Sequence, residues 1–156
     1  MRALKFFLAE PELIAFAARV AVVVWPGDCL ALRGDLGAGK TTFARALIRA
    51  LLHDPVHEVP SPTFALRQDY VSLRGPIVHF DFYRITDPRD VDELGLDEAL
   101  TTAITIIEWP EQAEALLPRD RLEIVLTETT PGGPRQLVIT GRGAAARRIE
   151  DLQKPA

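Results

Sequence analysis

Apolar residues recur along this chain at two periods, and the switches between periods mark out the elements. Lys5-Phe6-Phe7-Leu8 is a short strand-like run. Pro11 then opens a helix in which Leu13, Phe16, Ala17, Val20, Ala21 and Val24 fall on one face. Pro26-Gly27-Asp28 turns the chain into an apolar strand, Cys29-Leu30-Ala31-Leu32. A second helical pattern covers residues 42–52, with Phe43, Leu47, Ala50 and Leu51 on one side.

The middle of the chain is more β-like. Residues 64–73 and 77–83 predict two strands joined by Arg74-Gly75-Pro76. Residues 90–100 predict a short acidic helix, or two broken around Gly95, and the β-branched run 103–107 suits a buried strand. Pro110 starts another helix, to residue 117, and 122–127 and 136–140 pair antiparallel around Pro131-Gly132-Gly133-Pro134. The last dozen residues are polar and are expected to fray. The pattern therefore predicts one domain over residues 1–145 and a polar C-terminal tail over 146–156. Its fold class is α/β: a P-loop NTPase-like three-layer sandwich whose mixed sheet has a parallel core and an antiparallel edge.

Composition narrows this picture in three ways. The longest apolar stretch, residues 15–25, is interrupted by Arg19 and is too short to span a bilayer. With no signal-peptide pattern either, a cytoplasmic location without membrane contact is expected. Cys29 is the sole cysteine, so a disulfide within the chain and a thiolate metal cluster are both excluded. Its place in a buried strand marks it as structural. A net charge of −4 argues against a protein that grips nucleic acid by itself. Arg45, Arg49, Arg142, Arg147 and Arg148 are accordingly expected on a solvated surface.

The chemistry begins between the second strand and second helix. Gly34-Asp35-Leu36-Gly37-Ala38-Gly39-Lys40-Thr41 fits G-x-x-x-x-G-K-[ST], the phosphate-cradling P-loop. In that setting backbone N–H groups point at phosphate oxygens near the positive end of a helix. Lys40 would reach the β- and γ-phosphates, and the Thr41 hydroxyl would sit on Mg²⁺.

Hydrolysis also needs a metal shell and a positioned water. Two apolar strands end in an acid, at Asp81 after Val78-His79-Phe80 and at Glu108 after Ile104-Thr105-Ile106-Ile107. In open α/β sheets the ligand lies outside the carboxyl ends of the strands. Asp81 is thus a candidate to hold Mg²⁺ directly or through water, and Glu108 to complete the shell or position the attacking water. Ser61-Pro62-Thr63-Phe64 is either a turn or a switch that senses the γ-phosphate. Arg84 either stabilises phosphate charge or pairs with the acidic segment after it, His79 is expected to be a satisfied core histidine, and Trp109 to be core.

In order along the chain, Gly34 to Phe43, Ser61-Pro62-Thr63-Phe64, His79-Phe80-Asp81-Phe82-Tyr83-Arg84, Leu94-Gly95-Leu96 and Ile107-Glu108-Trp109-Pro110-Glu111 together resemble the bacterial TsaE (YjeE) ATPase family. The resemblance runs from the first helix to about Gly141. It implies a small ATPase working with two larger proteins, TsaB and TsaD. TsaD transfers a threonylcarbamoyl group to adenosine 37 of tRNAs reading ANN codons, and ATP hydrolysis supports multiple turnover of TsaB–TsaD. By match, Asp35, Leu36, Gly37, Ala38, Gly39, Lys40, Thr41 and Thr42 would bind ATP, with Thr41 and Glu108 holding Mg²⁺. Asp81 would assist the metal or its water, Ser61 and Thr63 would belong to the switch, and Arg135 matches an arginine near the base. Contact with tRNA would be indirect or weak. Many members carry a threonine near the start of the first helix, where Leu13 stands here. Two other readings stay open: a small P-loop metabolite kinase, and a nucleotide-controlled binding module with negligible turnover.

Overall fold

The computed structural model describes residues 2–155. Within them lie strands β1 (Arg2–Leu8), β2 (Cys29–Arg33), β3 (Arg67–Ser72), β4 (Gly75–Asp81), β5 (Ile104–Glu108), β6 (Arg121–Glu128) and β7 (Arg135–Arg142). They form one sheet in the order β1-β7-β6-β2-β5-β4-β3. The inner four, β6, β2, β5 and β4, run parallel. β3 closes one edge antiparallel to β4, and β7 and β1 close the other as antiparallel strands. The mixed sheet is as expected, a parallel core with antiparallel edge strands, here on both sides.

Period-two alternation divides the side chains between two layers. Leu30, Leu32, Ile77, Ile104, Ile106, Leu122 and Ile124 face helices α1 (Glu10–Val23) and α2 (Lys40–Leu52). On α1, Leu13, Phe16, Ala17, Val20 and Ala21 are the buried stripe, and the Glu12 carboxylate accepts from the Ala9 N–H at 2.9 Å to close the helix start. On the opposite face Cys29, Val78, Phe80 and Ile107 pack against Val91, Leu96, Ala99 and Ala113. These come from a 3₁₀ helix (Pro88–Leu94), α3 (Leu96–Thr102) and a second 3₁₀ helix (Pro110–Leu116). Gly95, at φ +76°, breaks the acidic segment into two, the second of the two forms expected.

Three boundaries moved for physical reasons. β3 starts at Arg67 rather than residue 64, because the chain turns at Pro62 and at Leu66, which has φ +68°. Phe64 is 80% exposed as a result. The segment after Pro110 is 3₁₀ rather than α, with a kink at Ala113. The tail is the largest departure. Residues Ala146–Gln153 form a helix, α4, whose Ile149 and Leu152 are buried in the core formed with α1. Two apolar residues at helical spacing anchor a segment that its arginines and acids made look polar.

Polar cross-links tie the layers. Arg33 reaches Glu114 of the second 3₁₀ helix at 2.8 Å and Glu123 of β6 at 2.5 Å. Burial disfavours the Glu123 charge, but hydrogen bonds from Arg33 and Arg121 outweigh that and lower its pKa. Arg148 likewise pairs with Asp28 at 3.0 Å, fastening α4 to the turn before β2.

Candidate functional site

Four parallel strands put their carboxyl ends along one rim of the sheet, and the chain leaves β2 there as the glycine-rich loop. Gly34 has φ +151°, and a Cβ at this position would stand 2.5 Å from the Leu126 carbonyl oxygen of β6. Only glycine lets the loop lie so close to the sheet. Gly37 and Gly39 also adopt positive φ, at +79° and +108°, and Gly39 caps α2. The first-turn N–H groups of α2 therefore open into a cleft of about 280 Å³ lined by residues 36–42, Thr63, Asp81, Tyr83, Glu108, Trp109 and Arg135.

The Lys40 ammonium arches back over the loop. It donates to the carbonyl oxygens of Gly34 and Asp35, and lies 3.9 Å from the centre of the Trp109 ring. Burial, partly offset by nearby Glu108, lowers its pKa from the ordinary lysine value. Trp109 has φ +56°, a left-handed conformation unfavourable for a side-chain-bearing residue. That turn swings the half-buried indole off the end of β5 and against Tyr83, ring centres 4.9 Å apart. Trp109 is thus a wall of the cleft as well as a half-buried residue packed against the core.

β4 and β5 deliver the acids side by side. Asp81 and Glu108 are register partners, and their alternation places both on the α2 face of the sheet. Glu108 is 1% exposed. Its Oε1 accepts from the Thr41 hydroxyl at 2.8 Å, and its Oε2 from His79 Nε2 at 2.7 Å. Asp81 accepts from the Thr63 hydroxyl at 3.0 Å and from the Tyr83 N–H at 2.9 Å. Burial raises its pKa above the ordinary carboxylate value, helped by the neighbouring Glu108 charge and opposed by the Tyr83 and Thr63 hydrogen bonds. Ser61 and Thr63 hydroxyls stand 2.9 Å apart, so the Ser-Pro-Thr turn lies directly over Asp81.

Arg135, at the start of β7, grips the outer side of the loop. Its guanidinium donates to the carbonyls of Ala38 at 3.0 Å, Gly37 at 3.3 Å and Gly133 at 2.5 Å. Beyond it, a hollow of about 270 Å³ shares Gly39, Thr42 and Arg135 with the cleft and continues past Leu13 and residues 132–134. A third, larger hollow of about 610 Å³ lies between α1 and α2. Its two arginines are engaged by backbone, Arg45 with Val59 O and Arg49 with His57 O. No glycine cradle faces it, so the chemistry belongs to the smaller cleft.

The donor set suits one kind of metal. A hydroxyl and two carboxylates are hard oxygen ligands, as Mg²⁺ takes. Among the described residues no group of three or more His, Cys, Asp or Glu could hold a metal alone. Mg²⁺ is commonly held by one or two carboxylates together with substrate phosphates. The glycine cradle next to this set would supply the place for those phosphates.

Most residues singled out in the sequence converge here. Arg84 does not: it lies over the Phe64 ring at 4.2 Å. Cys29 is 1% exposed, and burial pushes its thiol up to about 12, as befits a structural residue. Sequence reasoning missed His79, Tyr83 and Trp109 as site residues. A signal existed for His79, which stands two residues before Asp81 on the same strand face.

Comparison with known proteins shows the family and the fold. A model of the family described as threonylcarbamoyl adenosine biosynthesis protein TsaE matches residues 8–137. Proteins named tRNA threonylcarbamoyladenosine biosynthesis protein TsaE are similar to the chain in Rickettsia bellii and Bacillus subtilis. The first is 40% identical, over 76% of this chain and 81% of the relative. The second is 39% identical, over 81% of this chain and 78% of the relative. The crystal structure of Bacillus subtilis YdiB superposes with a TM-score of 0.79 at 31% identity, covering 97% of this chain and 94% of that one.

Proposed function

The chain belongs to the TsaE family of tRNA threonylcarbamoyladenosine biosynthesis proteins, and from that premise we propose that it is the Mg²⁺-dependent ATP hydrolase of the system. The observation that carries this reading is the Thr41–Glu108 hydrogen bond at 2.8 Å, set beside the glycine cradle and Lys40. It joins the hydroxyl at the start of α2 to the acid at the end of β5, the two groups that a nucleotide-bound Mg²⁺ requires.

ATP would lay its phosphates along residues 35–42, against the N–H groups of the loop and the first turn of α2. Lys40 would exchange the backbone carbonyls of Gly34 and Asp35 for phosphate oxygens. Thr41, Glu108 and Asp81 would hold the Mg²⁺, which when bound screens the phosphate charge and stabilises what develops on transfer to water. Asp81, poised by burial and tethered to Thr63, orients the attacking water and reports the state of the γ-phosphate to the Ser61–Thr63 turn. The hollow past Leu13 would take the base, and Arg135 braces the loop beside it.

The assembly reading follows from the family. Hydrolysis here supports turnover of TsaB–TsaD, in which TsaD modifies adenosine 37 of tRNAs reading ANN codons. With a net charge of −4 the chain itself touches tRNA weakly or indirectly. Its expected place is the cytoplasm; no described helix is long and apolar enough to cross a membrane.

Steady-state phosphate release from ATP tests the reading. Slow hydrolysis by the isolated protein and acceleration on adding TsaB–TsaD are expected. Lys40→Ala should abolish nucleotide binding or turnover, while Glu108→Ala should lose turnover by about 10²-fold or more and still bind ATP. Unchanged hydrolysis in Lys40→Ala would remove the assignment. Phosphate transfer to a metabolite would favour the kinase reading, and binding with negligible turnover even with partners the binding-module reading.

A further inference from the structure

β4 is apolar except at two positions on one face, His79 and Asp81. His79 has no exposed surface, and its Nε2 lies 2.7 Å from Glu108 Oε2. Its other ring nitrogen, Nδ1, is buried with no hydrogen-bond partner. A satisfied core histidine would use both nitrogens. An apolar residue at this place would avoid the orphaned one altogether, as Ile77, Val78 and Phe80 do on the same strand.

Register shows what the exception provides. Asp81 is the direct neighbour of Glu108, while His79 pairs with Ile106 and so meets Glu108 on the diagonal. Two carboxylates at adjacent strand ends repel, and a free Glu108 side chain has several rotamers. A carboxylate oxygen only accepts, so Nε2 donates. The bond fixes Oε2 on His79 and leaves Oε1 turned to Thr41.

We propose that His79 is a positioning residue: it holds the Glu108 carboxylate in the one orientation that serves the metal ion beside Thr41. Outer partners that orient a ligand in this way commonly change metal affinity or activity by 10–100-fold. The proposal rests on the assignment of Glu108 made above.

The test is equilibrium binding of a fluorescent (mant) ATP to the full chain, titrated with Mg²⁺, beside thermal melts. His79→Leu should need about tenfold more Mg²⁺ or above to tighten binding, with affinity in the absence of Mg²⁺ little changed. His79→Gln places an amide donor near the position of Nε2 and should restore the parent requirement; the shorter His79→Asn should not. That polar pair decides the matter even where His79→Leu fails to fold. A lower melting temperature with the parent Mg²⁺ requirement is what a purely structural histidine gives, and it overturns the proposal, as does a Gln variant no better than Asn. A parent protein whose nucleotide binding ignores Mg²⁺ overturns the Glu108 assignment instead, an outcome separable from a failure of His79 alone.

Discussion

At the scale of single residues, the site trades stability for placed charge. Asp81 is 3% exposed, and burial raises its pKa, so in the folded state it gives up its proton at a higher pH than in the unfolded chain. The native state therefore loses stability as pH rises from the unfolded carboxylate value through the folded one. Asp81→Asn removes that titration while keeping an oxygen for the Tyr83 N–H. Its melting temperature should exceed the parent's by a margin that opens above about pH 4 and then levels off, while ATP hydrolysis falls. A margin independent of pH, measured by calorimetry from pH 4 to 8, would show that burial of the charge is not the cause. Lys40, Thr41, Asp81 and Glu108 were all legible in the sequence, because a glycine motif and acids at strand ends are local patterns. The pairing of His79 with Glu108 was not, since the two lie 29 residues apart and meet only through strand register.

Elements show the same division. Helices α1 and α2 and the four inner strands announce themselves by period and by Pro or Gly at their ends. α4 did not, because only Ile149 and Leu152 carry its apolar face, and eight residues are too few for the period to stand out. Both are buried, at 0% and 3% exposure. Ile149→Ala should cost about 2–5 kcal/mol in denaturant unfolding. A loss under about 0.5 kcal/mol, typical of an exposed position, would return the segment to the frayed tail that its composition suggested. Trp109 makes the converse point. Its side chain looked like core, yet a left-handed backbone turn before Pro110 carries it out over Lys40.

For the molecule as a whole, the sheet order matters most. Placing β2 between β6 and β5, with β4 outside β5, brings the loop, Glu108 and Asp81 onto one rim. The Ser61–Thr63 turn then crosses that rim by bonding Asp81, so under the proposed reading a change at a bound γ-phosphate would be felt at an exposed surface. TsaB–TsaD should accordingly retain the protein differently in ATP and in ADP when captured on an affinity resin. Equal retention in both would remove the switch from the proposal. The order of apolar and polar residues, with its glycines and prolines, was enough to determine the α/β class, the glycine-rich loop and the strand-end acids, since each depends on neighbours within a few positions. Tertiary structure alone decided which groups touch: the Thr41–Glu108–His79 chain, the grip of Arg135 on the loop and the burial of α4. The first two join residues 29 to 98 positions apart, and α4 meets residues more than 100 positions away, distances that close only when the sheet forms.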